Sequence, residues 1–196
     1  MAVGRTRGPG RPAAASREDA LALATRCFLR SERVDVQAIA SRLGLARATM
    51  HRWFGTRERL LGELLAQLGE RRLRTIRAET PARGGAGLLA CFDSYNSELA
   101  GSAPLRWWLA QEQDLALRVL TSSGGIVQPR MVALVEEFIC EESNDGAFSS
   151  RVTPPTLAYA IVRLAEAFLY NDAIVGVRGD TNRLHEIEAA LLLEPI

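Results

Sequence analysis

Between Asp35 and Phe54 two short amphipathic segments meet at one glycine, which commits this stretch to a pair of crossing helices. Asp35 can cap the first, whose inner face holds Ala38, Ile39 and Leu43. Gly44 can adopt the positive φ that a tight turn between helices needs, and residues 46–53 then resume helical spacing. Ala40 is small enough to let the second segment cross close by, and Ile39, Leu45 and Met50 fall where they lock the two together. The second segment keeps Arg47, Ala48, Thr49, His51 and Arg52 on its outer surface. Small residues at its start permit close approach to a DNA major groove, where Arg and Thr can reach base edges or phosphates. A plain helical hairpin with solvated arginines has the same spacing, so charge must help to discriminate.

The net charge of +1 conceals a division. Residues 1–78 carry sixteen arginines against seven acids, a balance of +9, and residues 79–196 carry −8. Such asymmetry points to one end that binds a polyanion and another with a separate task; chance clustering of surface charge is the alternative. Residues 1–15 mix Gly, Pro, Ala and Arg without apolar periodicity and read as a disordered basic arm. Within it Gly10-Arg11-Pro12 resembles a short minor-groove segment, so Arg5, Arg7 and Arg11 either enter a groove or make diffuse phosphate contacts.

Helical punctuation continues along the chain. Ser16 and Asp19 form a capping-box pattern ahead of Ala20, Leu23, Ala24, Cys27 and Phe28. After Gly55, Thr56 can cap a longer helix that buries Leu60, Leu61, Leu64, Leu65 and Leu68. Beyond Pro81, breaks rich in Gly, Pro, Ser and Asn delimit five further helices, at 86–100, 104–121, 126–143, 155–175 and 180–193. No segment sustains period-two alternation. The expectation is an all-α chain of about nine helices. A three-helix helix-turn-helix domain at 16–60 is joined by a long helix to a helical effector-binding and dimerisation domain at 61–196.

Several chemistries are disfavoured. Cys27, Cys91 and Cys140 are widely spaced in apolar helical patterns, where thiols behave as small hydrophobes. His51 and His185 are the two histidines, and neither belongs to a metal-ligand cluster; a Walker loop, nucleophile elbow and dinucleotide fingerprint are lacking. Neither an enzyme nor a cofactor or metal is expected. No apolar run approaches bilayer length and the arginine-rich start is not followed by a signal-peptide stretch, so a cytoplasmic protein without a membrane partner is expected.

The segment 155–175 is apolar nearly all round, with four polar exceptions. Tyr159, Arg163, Glu166 and Tyr170 follow at spacings of four, three and four, which puts them on one stripe. A buried arginine and carboxylate need each other or a ligand, so the stripe is either the polar wall of a pocket or an ion pair near a dimer seam. Segment 104–121 opens with Pro104 and carries Trp107, Trp108, Gln111 and Glu112. Phe92, Tyr95 and Asn96 precede it, and Met131 and Phe138 follow. These residues form a pool from which core and a small-molecule site between helices can both be drawn.

Ile39-Ala40, Leu43-Gly44-Leu45, Thr49-Met50, Trp53-Phe54 and Thr56-Arg57-Glu58-Arg59-Leu60-Leu61 resemble the N-terminal signature of the TetR family, over about residues 16–65. The resemblance implies a dimeric, ligand-responsive regulator, usually a repressor, holding a palindromic double-stranded operator. It also implies that 155–175 and 180–193 form the intersubunit bundle, with Leu184, Ile187, Ala190 and Leu191 supplying a second apolar stripe. Ala46 stands where the family commonly has Ser or Thr. His51, Trp53 and Arg57 replace its frequent Tyr, His and Lys, yet each can donate a hydrogen bond to phosphate. Trp53 fits the core equally well. Leu120-Thr121-Ser122 to Pro129-Arg130, and Leu157-Ala158-Tyr159 to Phe168-Leu169-Tyr170, are similar to QsdR-type regulators, a subclass associated with quorum-sensing-lactone degradation. That similarity implies a small apolar effector of the lactone or acyl-lactone kind. A helical scaffold that has lost operator binding is the other reading, and salt-dependent retention on DNA separates the two.

Overall fold

The computed structural model describes residues 15–171 and 180–193, and every regular element among them is helical. Nearly all of the arm expected at 1–15, including Arg5, Arg7 and Arg11, lies outside the described residues, as does the stretch expected to end the helix of 155–175. Three short helices, α1 (Arg17–Leu29), α2 (Val36–Arg42) and α3 (Arg47–Phe54), lead into the long α4 (Arg57–Glu79). Their ends are set locally. Ser16 Oγ accepts from the Asp19 amide at 3.1 Å while Asp19 Oδ2 accepts from the Ser16 amide at 2.8 Å, closing the capping box. Asp35 Oδ1 accepts from the Ala38 amide at 2.8 Å and starts α2; Thr56 Oγ1 accepts from the Arg59 amide at 3.2 Å and starts α4. Gly44 turns the chain between α2 and α3 with φ +65°, a conformation that glycine adopts without steric cost.

Six further helices follow among the described residues: α5 (Gly84–Gly101), α6 (Ala103–Gln111), α7 (Gln113–Thr121), α8 (Val127–Asn144), α9 (Pro154–Glu166) and α10 (Thr181–Leu192). The single helix expected at 104–121 is thus two, broken at Glu112, where φ is −141° and ψ is 53°. The spacing of apolar residues survives such a corner, which is why periodicity alone missed it. At its far end α9 widens into a π-helical turn, Ala167–Asn171.

α4 is the spine. Leu60, Leu61, Leu64, Leu65, Leu73 and Ile76 are buried along it, against α1, α5, α7 and α8. α8 and α9 pack along each other, and α10 lies on α5. The α4–α5 connection is pinned from α8 by Glu142, which is fully buried. Its carboxylate accepts from Arg77 Nη2 and, at 2.7 Å, from the Gly84 amide. Gly84 is in the left-handed region (φ +64°), and a Cβ there would lie 2.3 Å from the Ala147 carbonyl oxygen.

Removing one member of a buried ion pair strands the other. Glu142→Ala should therefore lower unfolding free energy by about 3–5 kcal/mol in urea titrations. Replacing both partners (Arg77→Met with Glu142→Leu) should recover part of that loss, because no charge is then left buried alone, while the Gly84 amide still lacks its acceptor. A Glu142→Ala midpoint equal to wild type would show that the pair does not hold the turn.

Candidate functional site

The basic face is built on α3. Met50 and Phe54 are buried beneath it and fix its orientation, and the Arg17 guanidinium lies 4.8 Å above the Phe54 ring while also pairing with Glu63. Arg47, Ala48, His51 and Arg52 are exposed together, with Thr49 partly buried beside them. The α3 N-terminus has no side-chain cap, because Ala46 occupies the position, so its first amides remain open to an outside acceptor such as phosphate. Trp53 is half-buried, edge-on to Phe54 with ring centroids 6.4 Å apart, and packs on the core.

Two expected site residues stand elsewhere. Arg57 was expected to reach phosphate and Glu112 to line a pocket, but the structure joins them to each other. Arg57 Nη1 and Nη2 donate to Glu112 Oε2 and Oε1 at 2.7 and 3.1 Å, and Arg57 Nε donates to the Val34 carbonyl. Glu112 also accepts from Trp108 Nε1 at 3.2 Å and lies 3.3 Å from Arg33 Nε. Burial pushes the Glu112 carboxyl up, yet the hydrogen bonds from Arg57 and Trp108 outweigh it and hold the group below the usual carboxylate range. The corner between α6 and α7 is therefore clamped to the start of α4 and to the loop before α2. Spacing could not reveal this, since the partners lie 55 residues apart.

Behind that corner the helices enclose a cavity of about 380 Å³, within the range of small-molecule sites. Its wall is mostly apolar: Leu65, Leu68 and Leu73 from α4, Leu105 and Leu120 from α6 and α7, and Val135, Ile161 and Val162 from α8 and α9. Phe28 and Leu29, at the end of α1, also line it. Of the residues expected to bind a ligand, Phe92, Tyr95, Asn96, Met131, Glu166 and Tyr170 surround this space. The remainder do not. Trp108 is buried against Phe28 in an edge contact at 5.9 Å, Phe138 is core, Trp107 packs on the core from outside, and Gln111 is exposed. The stripe divides as well: Tyr159 is 50% exposed, and Arg163 turns to Glu166 Oε2 (2.6 Å) and the Thr121 carbonyl (3.0 Å). Glu166 and Tyr170 are buried, with Tyr170 carried on the π turn.

Gln128 and Glu188 are buried wall residues that the sequence reading missed. Glu188 was legible: Leu184, Glu188 and Leu192, four residues apart, form the buried face of α10. The neighbouring apolar pair Ile187 and Leu191 is more than a third exposed instead. Burial raises the Glu188 carboxyl to about 8, opposed by its hydrogen bonds from Asn96 Nδ2 (3.2 and 3.3 Å) and reinforced by the charge of Asp93. Burial likewise lifts Glu166 to about 7 against the pull of Arg163. Among the described residues no cluster of His, Cys, Asp and Glu could hold a metal ion, and no helix is long and apolar enough to cross a membrane.

Residues 83–193 match the family described as tetracyclin repressor-like, C-terminal domain. Among solved structures, the transcriptional repressor QsdR of R. erythropolis, from the TetR family, superposes with a TM-score of 0.84 at 25% identity, over 92% of this chain and 95% of that one. AlkX from Dietzia, a TetR family repressor implicated in biodegradation of n-alkanes, matches at 0.59 and 20% identity, over 91% and 98% of the two chains. The fatty acid degradation regulator FadR from Bacillus halodurans matches at 0.57 and 19%, over 92% and 100%. The last two share the fold. No curated protein matches the chain.

The Glu188 carboxyl makes stability depend on pH. The folded chain retains a proton up to about 8 that an unfolded chain gives up near the ordinary 4.5, so stability falls as pH rises between those values and the loss is complete above them. Glu188→Gln mimics the neutral acid but cannot ionise. In thermal scans it should melt with wild type near pH 5 and several degrees higher near pH 8.5, at roughly 2–4 °C per kcal/mol. Equal melting temperatures at both pH values would place Glu188 in an ordinary, solvated setting.

Proposed function

This chain belongs to the TetR family of transcription regulators, and from that premise we propose that it is a homodimeric repressor, released from a palindromic operator when a small, mainly apolar molecule fills the cavity. The observation that carries the reading is the position of Phe28. It lines the cavity yet belongs to α1, a helix of the three-helix unit at 16–60. A molecule in the cavity therefore touches the DNA-reading unit directly, and touches α6 and α7 through Leu105 and Leu120.

The proposed route out is short. Phe28 meets Trp108, Trp108 hydrogen-bonds Glu112, and Glu112 holds Arg57 at the start of α4. An occupant that favours a shifted α6–α7 corner would move this chain of contacts, and with it the separation of the two recognition helices in a dimer. Binding energy can bias the two arrangements only by the difference in how well the occupant fits each. The arrangement that holds DNA is the one with the clamp intact.

At the other end, Arg47, Ala48, Thr49, His51 and Arg52 present the surface we assign to DNA, with the arm at 1–15 adding phosphate contacts. Tyr159, Ile187 and Leu191 are large apolar side chains left exposed on α9 and α10, the two helices to which we assign the dimer interface. A cytoplasmic setting accords with a DNA partner. The lactone or acyl-lactone implied by the sequence resemblance remains the proposed effector class.

Arg47→Ala and Arg52→Ala, tested on an operator selected from random duplexes, should together weaken binding at least tenfold. Each lost phosphate contact should also flatten the dependence of log affinity on log salt by about 0.9. Melting should not change, since both side chains are exposed. Unaltered affinity and slope would remove α3 from the DNA surface.

A further inference from the structure

The cavity wall carries polar groups that the protein itself leaves unused. Gln128, on α8, is only 3% exposed, yet its side-chain amide has no hydrogen-bond partner among the described residues. The hydroxyls of Tyr170 and Tyr95 are likewise without one, and the Tyr95 ring ends against α4 at Gly69, where a Cβ would come within 2.8 Å of its oxygen. Three unpaired groups of three different helical segments, converging on an apolar space, are arranged to meet a ligand's polar atoms.

Among the described residues, the same wall offers a charged ligand no cation that is not already paired. Arg72, at its rim, is bound through two nitrogens by Glu98, with Nε at 2.6 Å from Oε2. Arg163 is outside the wall and is committed to Glu166 and the Thr121 carbonyl. A carboxylate drawn inside would lose its hydration with no free cation beside it among the described residues, an uncompensated burial that costs several kcal/mol. An ammonium fares little better. Glu166 already has its cation, and Glu188 is enclosed completely, with its oxygens turned to the Asn96 amide.

We propose that the cavity selects for zero charge: its ligand is an apolar molecule bearing an ester, lactone or amide group, bound through Gln128, Tyr95 and Tyr170, and carboxylates, coenzyme A thioesters and amines are rejected. This deepens the effector reading above and rests on it. Gln128 can donate to a carbonyl oxygen through its amide nitrogen, and the phenols can donate to the same or a second oxygen. Each such group faces the cavity, so an occupant with oxygen acceptors would gain hydrogen bonds there that a hydrocarbon of equal area cannot make.

Three probes of one carbon skeleton test the charge rule: γ-decalactone, its ring-opened carboxylate 4-hydroxydecanoate, and decylamine, each titrated calorimetrically into the full-length protein at neutral pH. The lactone should bind at least tenfold more tightly than either charged probe. Tyr170→Phe and Gln128→Leu, checked by melting for an intact fold, should each weaken the lactone severalfold. Equal or tighter binding of the hydroxy acid or the amine overturns the proposal, as does wild-type lactone affinity in both variants. A charged probe that binds and also loosens the protein from DNA overturns the charge rule alone. If none of the three binds, the cavity's role as effector site falls with it.

Discussion

The bidentate pair between Arg57 and Glu112 sets the relation between the two ends of this molecule. Arg57 opens α4, where a positive charge opposes the helix dipole and needs a compensating anion. Glu112 supplies it from the corner it occupies between α6 and α7. The geometry is restrictive, because a guanidinium and a carboxylate joined through two bonds share a plane. Trp108 and the Val34 carbonyl take up further capacity on either side, so the corner, the first turn of α4 and the loop before α2 are fixed as one unit.

α4 gives that unit its reach. Its first turn follows directly on the recognition helix, and its middle, at Leu65, Leu68, Gly69 and Leu73, is the floor of the cavity. A helix of 23 residues is roughly 34 Å long, enough to run from the recognition helix past the cavity. Close-packed interiors shift between discrete arrangements instead of deforming smoothly. The cavity therefore adjoins both attachments of the three-helix unit at 16–60: the spine itself, and the clamped corner beside Phe28 and Trp108.

What could be read in advance divides along the range of the interactions. The helix-turn-helix was legible because Asp35, Gly44 and Thr56 act on backbone within four residues of themselves. The division of 104–121 was not, because the partner that holds Glu112 lies in another helix. Periodicity put Tyr159 on a stripe with Glu166 and Tyr170, but a stripe does not say which neighbours lie beyond each end of a helix. Tyr159 is half-exposed while the other two are enclosed. On α10 the apolar stripe of Leu184, Ile187, Ala190 and Leu191 shares only Leu184 with the face that turns inward, which is Leu184, Glu188 and Leu192. A carboxyl at core spacing is the signal that was available, and it marks the polar side of the cavity. Gln128 gave the same kind of signal beside Val127, in a segment otherwise read for its Met and Phe.

The claim at the centre of this account is that cavity occupancy reaches α3 through the Arg57–Glu112 pair. The direct measurement is the ratio of DNA affinities without and with γ-decalactone at saturation, for wild type and for Glu112→Gln, on the same selected operator. Gln keeps the shape of Glu112 but removes the charge that holds Arg57. The account predicts a wild-type ratio in the range of allosteric couplings, roughly 5- to 150-fold, falling towards unity in Glu112→Gln while lactone affinity in the absence of DNA changes little. A Glu112→Gln ratio equal to that of wild type would contradict it.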